Sequence, residues 1–344
     1  MAKCTLNTIL TFVAALILLS CSTPQKEYQQ IKNVPMLGTT LNIIADIHAD
    51  SLTALLDAAM EIDRDMKAQM SIFDSTSLVS QINRSQSDSL TSEMIRNIQL
   101  ADSISRLSGG AYDITVMPLV EAWGFARKEA LKDPNIDSLL EFVGYQKISI
   151  SPEGRLVKED PRMKLDFNSI AKGYTVDKLA QRVAQMGAKN FLVDIGGEIN
   201  SRGINSRGVG WTIGVESPID GNMTDGDYLQ KAITIDPQSS MRAMATSGNY
   251  RRFYLSDKGE KIAHTIDPRT GRSHTSKLLS ATVIASSCAL ADGLATMFLA
   301  VGSDSAVELS KTIEGVEVYF IFAGEDGAEY EEYMSEGMTQ MINK

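Results

Sequence analysis

The chain has 344 residues, 43% hydrophobic and 22% charged, the balance of a globular protein that can bury a substantial core. That length exceeds the usual single domain without requiring two. A formal net charge of -10 argues against wrapping nucleic acid, because gripping a phosphate backbone takes clustered Lys and Arg. A small anion can still be held through a metal.

At the N-terminus Lys3 precedes an apolar run from Ile9 to Leu19, too short to span a bilayer comfortably and suited to a signal peptide. It ends in Leu18-Leu19-Ser20-Cys21, which resembles the cleavage box of bacterial lipoproteins, where a small residue precedes the Cys whose thiol is acylated. Residues 1–20 would then be removed and Cys21 would become the lipidated N-terminus. The alternative is an uncleaved anchor helix with an incidental Cys; both place the globular part outside the cytoplasm. Cys4 leaves with the signal and Cys21 carries lipid, so Cys288 alone of the three cysteines remains and no internal disulfide forms. Its apolar surroundings suit a small buried side chain rather than a nucleophile. Residues 21–35 are rich in Gln, Lys and Pro and read as a solvated tether, leaving 36–344 as the folded domain.

Thr39 to Ile47 predicts a strand, and Ser51 to Met70 a helix with Leu55, Leu56, Ala59, Ile62, Met66 and Met70 at mostly helical spacing. Ser75 to Asp88 is polar and reads as a loop. A second helix spans Leu90 to Leu107 and stops at Gly109-Gly110. Lys147 to Ile150 and Arg155 to Lys158 flank a Ser-Pro-Glu-Gly turn and predict a hairpin. Lys164 to Asp166 reads as a short strand, followed by a helix from Ile170 to Met186 closed by Gly187, then a strand at Phe191 to Ile195. Further strands are expected at Trp211 to Glu216, Ala232 to Ile235, Arg251 to Leu255 and Lys261 to Thr265, the last two joined at Asp257-Lys258-Gly259. The C-terminal third predicts a strand at Ala281 to Ala285, a helix to about Val301, a helix from Ser305 to Ile313 and a strand at Val316 to Phe322. Hairpins mixed with strand-helix units indicate an α+β or mixed α/β fold rather than a doubly wound parallel sheet.

No dinucleotide glycine fingerprint, phosphate loop, His-Glu-x-x-His or Gly-x-Ser-x-Gly is present. Three histidines and no paired cysteines disfavour a zinc site. Asp166-Phe167-Asn168-Ser169-Ile170-Ala171-Lys172-Gly173 opens a helix, where backbone N–H groups favour an anion; Asp166 as a plain cap with a solvated Lys172 fits equally. Asp292 and Thr296 are four apart on a predicted helix and can aim two hard oxygens at one point, as magnesium prefers. They could instead be a favourable early-helix charge and a side chain that packs sideways. His264 stands before the turn-forming Asp267-Pro268-Arg269-Thr270-Gly271, placed to hold a ligand, accept a proton or simply be hydrogen-bonded.

Taken in order behind a lipoprotein signal, these stretches resemble the ApbE family of FAD:protein FMN transferases. The match also takes in Leu37-Gly38-Thr39, Ser71-Ile72-Phe73-Asp74 with Ser77 and Asn83, Gly110-Ala111-Tyr112-Asp113 leading to Pro118-Leu119 and Trp123-Gly124-Phe125, Val193-Asp194-Ile195-Gly196-Gly197, and Thr246-Ser247-Gly248. The resemblance implies an α+β or mixed α/β, T-fold-like body of mixed sheets with packed helices. It implies Mg2+ held by the backbone carbonyl of Ser169 and the side chains of Asp292 and Thr296. It implies FAD contacted at Leu37, Phe73, Ala111, Tyr112, Asp113, Asp166, Lys172 and Ile266. Leu37 stands where the family usually has Met, and Asn168 where Gly is common; neither change removes a metal oxygen.

The activity implied is Mg-dependent transfer of FMN from FAD to a Thr or Ser hydroxyl of an acceptor protein, releasing AMP, with Lys172 and Asp292 serving the phosphates and His264 or a site carboxylate taking the proton. The implied acceptors are flavin subunits of membrane redox complexes of the Rnf/Nqr type and related exported reductases. Two other functions share these residues: an FAD diphosphatase passing the same group to water, against which an aromatic Phe73 leans, and a non-catalytic FAD-binding lipoprotein, against which the Asp292/Thr296 pair leans. The expected location is exported, lipid-anchored and facing the periplasm.

Overall fold

The computed structural model describes residues 27–126, 130–131, 134–218, 229–250, 253–255, 261–273, 276–324 and 330–342. The signal segment, Cys21 and the expected turn at Asp257-Lys258-Gly259 lie outside them. Among the described residues no helix is long and apolar enough to cross a membrane.

Eight strands form one sheet in which sheet order equals chain order: β1 (Gln29–Met36), β2 (Thr39–Ala45), β3 (Phe191–Ile195), β4 (Glu198–Arg202), β5 (Ala243–Gly248), β6 (Leu278–Ala285), β7 (Glu317–Phe322) and β8 (Glu331–Met334). Every neighbouring pair is antiparallel. The fold is thus a meander whose connections carry the helices, an α+β arrangement.

Alternation along the strands sets the layers, since successive side chains point to opposite faces. Val283 and Phe320 join a core with the helices, whereas Ile284, Tyr319 and Ile321 join a second core on the other face. That second face is covered by a hairpin, Thr212–Glu216 with Leu229–Thr234, and by a C-terminal helix, Glu336–Ile342.

The helical face carries α1 (Leu52–Met70), α2 (Leu78–Asn83), α3 (Ser92–Leu107), α4 (Met117–Ala122), α5 (Ile136–Leu140), α6 (Ala171–Gln185), α7 (Cys288–Val301) and α8 (Ser303–Ser310). α7 is apolar nearly all round because it lies between the sheet and α6, burying Leu294, Met297, Phe298 and Leu299. Each such side chain contributes about 1.5–3 kcal/mol by leaving water.

The structure corrects several expectations. The tether reading fails over its last residues, because Gln29–Met36 pairs with β2 and buries Ile31 and Met36. A register shift between Ile31 and Val34, with Asn33 at φ 55, breaks the two-residue period that would have marked a strand. Pro35 is tolerated because β1 is an edge strand. The polar stretch Ser75 to Asp88 contains α2, capped by the Ser77 hydroxyl, which accepts from Ser80 N, and pinned by buried Val79 and Ile82. Lys164 makes one isolated parallel bridge to Val116 and is not part of a strand. Thr265 lies outside the strand Lys261–Ala263, which pairs with Phe253–Leu255. β4 and β5 were not expected: β5 reads Ala-Met-Ala-Thr-Ser-Gly, small residues that fit under α7 but carry little strand propensity.

Candidate active site

α6 and α7 meet at their starts. Gly173 leaves no room for a side chain, since an added Cβ would lie 2.3 Å from the Cys288 carbonyl oxygen and 2.8 Å from Asp292 Cβ. This approach lets Gly173 N donate to Asp292 Oδ2 at 3.0 Å. One turn along α7, Thr296 Oγ1 lies 3.2 Å from Ser247 Oγ on β5.

Two hairpin turns bring the sheet to the same place. Gly196 and Gly197, at φ 61 and 97, make the two-residue turn from β3 to β4 and deliver Glu198 at its far side. Leu37 and Gly38, at φ 47 and 78, make the matching turn from β1 to β2. A left-handed Leu costs about 1–2 kcal/mol; Leu37 N is held by Asp63 Oδ1 at 3.0 Å, itself paired with Lys67 at 2.7 Å.

Side chains from these elements line a cavity of about 710 Å³, within the range of small-molecule sites. Every residue assigned above to flavin, cation or catalysis is on its wall: Leu37, Phe73, Ala111, Tyr112, Asp113, Asp166, Ser169, Lys172, His264, Ile266, Asp292 and Thr296. Cys21, the expected lipidation site, lies outside the described residues.

Several motif residues serve the wall itself. Asp113 Oδ1 accepts from Thr115 N at 2.7 Å and its Oδ2 from Tyr145 N at 2.5 Å, so this carboxylate folds its loop. Asn83 donates to Leu165 O at 2.8 Å and accepts from Leu165 N at 2.7 Å, fixing the chain just before Asp166. Asp166 Oδ1 accepts from Asn168 N at 2.8 Å, and Ser169 Oγ donates to Tyr112 Oη at 2.9 Å. Trp123 Nε1 donates to Gly271 O at 2.7 Å, and Arg269 Nη2 pairs with Asp267 at 2.9 Å, so the Asp267 to Gly271 turn is structural. His264 sits edge-on to Phe125, ring centroids 6.3 Å apart.

The sequence reading missed Glu198. Its side chain is 4% exposed and Oε1 accepts from Lys172 Nζ at 2.7 Å, while the Lys172 side chain is 36% exposed and lines the cavity. Gly-Gly-Glu after a predicted strand gave a turn signal but nothing to show that the Glu is buried. Burial raises the Glu198 carboxyl to about 7 against the pull of Lys172. Burial likewise raises Asp292. Burial would lower Lys172, but Glu198 and Asp292 together outweigh it and keep it charged. Cys288 is buried with its thiol pushed up, as an inert core residue is.

These residues fit a magnesium ion. Glu198 and Asp292 against Lys172 leave buried negative charge in excess, and Glu198 Oε2 has no partner. Among the described residues no cluster of three His, Cys, Asp or Glu encloses a metal. Such a sparse set suits Mg2+, which keeps waters and substrate phosphates among its ligands; Asp292, Thr296 and the Ser169 carbonyl would hold it.

The model of the ApbE family matches residues 37–320. A Vibrio cholerae protein named FAD:protein FMN transferase is 31% identical, the alignment covering 98% of this chain and 99% of that protein. A Haemophilus influenzae protein of the same name is 32% identical over 92% and 93%. The solved flavin transferase ApbE from Vibrio cholerae superposes with a TM-score of 0.77 at 29% identity, covering 92% of this chain and 100% of that one. The apo flavinyl transferase ApbE from Pseudomonas stutzeri gives 0.78 at 27% identity, over 92% and 98%. With matches of this extent in sequence and in structure, the chain belongs to the ApbE family.

Proposed function

We propose that this protein transfers FMN from FAD to a Thr or Ser hydroxyl of an acceptor flavoprotein, releasing AMP. The observation that carries the reading is that all the residues family resemblance assigns to flavin and cation meet on one cavity wall, at the junction of two helix starts and two tight turns. The names of the Vibrio cholerae and Haemophilus influenzae relatives support it.

The chemistry needs charge neutralisation, because a diphosphate repels a nucleophile. Lys172, steadied by Glu198, offers a fixed ammonium to the phosphates. Asp292, Thr296 and the Ser169 carbonyl would hold a magnesium ion, which would supply charge neutralisation to the phosphate oxygens during an in-line displacement. Phe73, 42% exposed on the cavity wall, offers an aromatic face to the flavin ring. Ile266 and Leu37 add apolar contact, and the Tyr112–Ser169 bond keeps the Ser169 turn in place.

The test is incubation with FAD, Mg2+ and a candidate acceptor carrying the target Thr. The expected result is one added FMN on the acceptor by mass spectrometry, with one AMP released per transfer. AMP without a mass gain would instead mark an FAD diphosphatase, and bound FAD without AMP a non-catalytic carrier.

The same reading places the protein outside the cytoplasm, anchored by lipid on Cys21 and serving flavin subunits of membrane redox complexes of the Rnf/Nqr type or related exported reductases. Support comes from the apolar run Ile9 to Leu19 and the Ser20-Cys21 junction. Cys21→Ala is expected to move the protein from the membrane to the soluble fraction; retention in the membrane would contradict the anchor.

A further inference from the structure

The cavity is built from one end of each element that supplies it. Leu37 lies in the turn after β1, Gly196 in the turn after β3, Gly248 at the end of β5, Met70 at the end of α1 and Lys172 at the start of α6. The opposite ends of the first four strands lie side by side elsewhere: pairing places Gln29, Ala45, Phe191 and Arg202 in one row across β1 to β4.

Tyr28, immediately before β1, is fastened to that row. Its hydroxyl donates to Ile204 O at 2.7 Å, and its ring meets the Trp211 ring edge-on with centroids 6.0 Å apart. Trp211 Nε1 donates to Arg202 O at 3.0 Å, and Asn190 Oδ1 accepts from Ile204 N at 3.0 Å. The chain that leads back to Cys21 therefore joins the body at the end of the sheet opposite the cavity.

Lengths decide what such a tether allows. From Cys21 to Tyr28 the chain advances seven residues, a reach of about 25 Å at full extension. β1 alone, eight residues long, covers about 27 Å at 3.4 Å per residue, and the cavity lies at its far end. Turning the cavity down onto a bilayer would lift Tyr28 by the length of β1 or more, beyond the reach of the tether.

We infer that the membrane lies against the Tyr28 end and that the cavity opens away from it, a geometry that rests on the lipid-anchor reading above. The partner this fits is an acceptor that offers its Thr or Ser hydroxyl from the aqueous side, about 27 Å or more above the lipid surface. A hydroxyl held close to the bilayer is out of reach.

Two exposed serines report the orientation: Ser206, in the loop between β4 and Trp211, and Ser75, just past Phe73 on the cavity side. Ser206→Cys and Ser75→Cys give single labelling sites in the mature lipoprotein, because Cys288 is buried and Cys21 is acylated in the anchored form. Each variant, carrying a fluorophore on the new thiol, is placed in liposomes with spin-labelled lipid headgroups as quencher. The expected result is loss of fluorescence from position 206 and its retention at position 75. Equal loss at both, or greater loss at 75, overturns the inference.

A second measurement reads the consequence for the acceptor. Lipid-anchored peptides in the same liposomes carry the target Thr on a spacer either shorter or longer than β1. The anchored protein is expected to modify the long-spacer peptide alone, whereas soluble Cys21→Ala protein modifies both peptides free in detergent. Equal transfer to both peptides by the anchored protein overturns the inference. A mature protein that does not float with liposomes overturns the anchor reading beneath it, and no transfer to either peptide in detergent overturns the FMN-transfer reading.

Discussion

Gly173 N donates to the Asp292 carboxylate at 3.0 Å, fastening the start of α6 to α7. A residue proposed to hold the cation is thereby also a clamp on the turn that carries Ser169 and Lys172. The clamp depends on closeness that only glycine permits, the Cys288 carbonyl oxygen lying 2.3 Å from where a Cβ would be. Gly173→Ala is expected to push the helices apart and destabilise the fold by about 1–3 kcal/mol, the usual cost of overpacking. Urea unfolding measures this; an unchanged midpoint would mean that the junction relaxes freely.

Asp292→Asn separates the clamp from the charge. The amide oxygen still accepts from Gly173 N, so the variant is expected to melt close to the unmodified protein without magnesium. Ligand bound only to the native state at 100 times its Kd adds about 2.7 kcal/mol. The unmodified protein should therefore melt higher with added MgCl2, and the variant should lose that rise together with FMN transfer. Thermal melts with and without MgCl2 decide it.

Phe73 is exposed on the cavity wall. Phe73→Asn is expected to weaken FAD binding by about tenfold, in line with about 1–3 kcal/mol for aromatic stacking of a ring system. It should also shift AMP release from FMN on the acceptor towards free FMN. Chromatography of the flavin products checks the partition.

Lys178 on α6 pairs with Glu93 on α3 at 2.6 Å, and that bond holds the Glu93 carboxyl at about 2 against an ordinary 4.5. A lowered folded-state pKa means that the pair stabilises fully above about 4.5 and that the contribution is lost as pH falls through about 2. Both side chains are partly exposed, so the effect is about 0.5–1 kcal/mol. Glu93→Gln is expected to lower stability by that amount at pH 7 and to match the unmodified protein near pH 2. An equal gap at both pH values would show that packing, not charge, carries it.

The long amphipathic helices and β3 were legible because their apolar periods are unbroken: α1 and α3 follow the expected ranges closely, and Phe191–Ile195 alternates buried and part-buried. β1 was hidden by polar composition and a bulge, α2 by a short polar sequence whose Ser77 cap looked like loop chemistry, and β5 by its small residues. At the site, the motifs supplied the residues but not their grouping, since Leu37 and Asp292 are joined only by the sheet and the α6–α7 junction. Glu198 was invisible because its burial arises from packing between strand and helices, and a single carboxylate after two glycines gives no pattern to read.

A divalent cation held by Asp292, Thr296 and the Ser169 carbonyl would make the flavin diphosphate reactive in this cavity. The most direct test is FMN transfer from FAD to an acceptor Thr, followed by mass gain and AMP release while Mg2+ is removed with chelator and then restored. Both signals are expected to vanish in chelator and to return together with excess MgCl2. Undiminished transfer in chelator would contradict it.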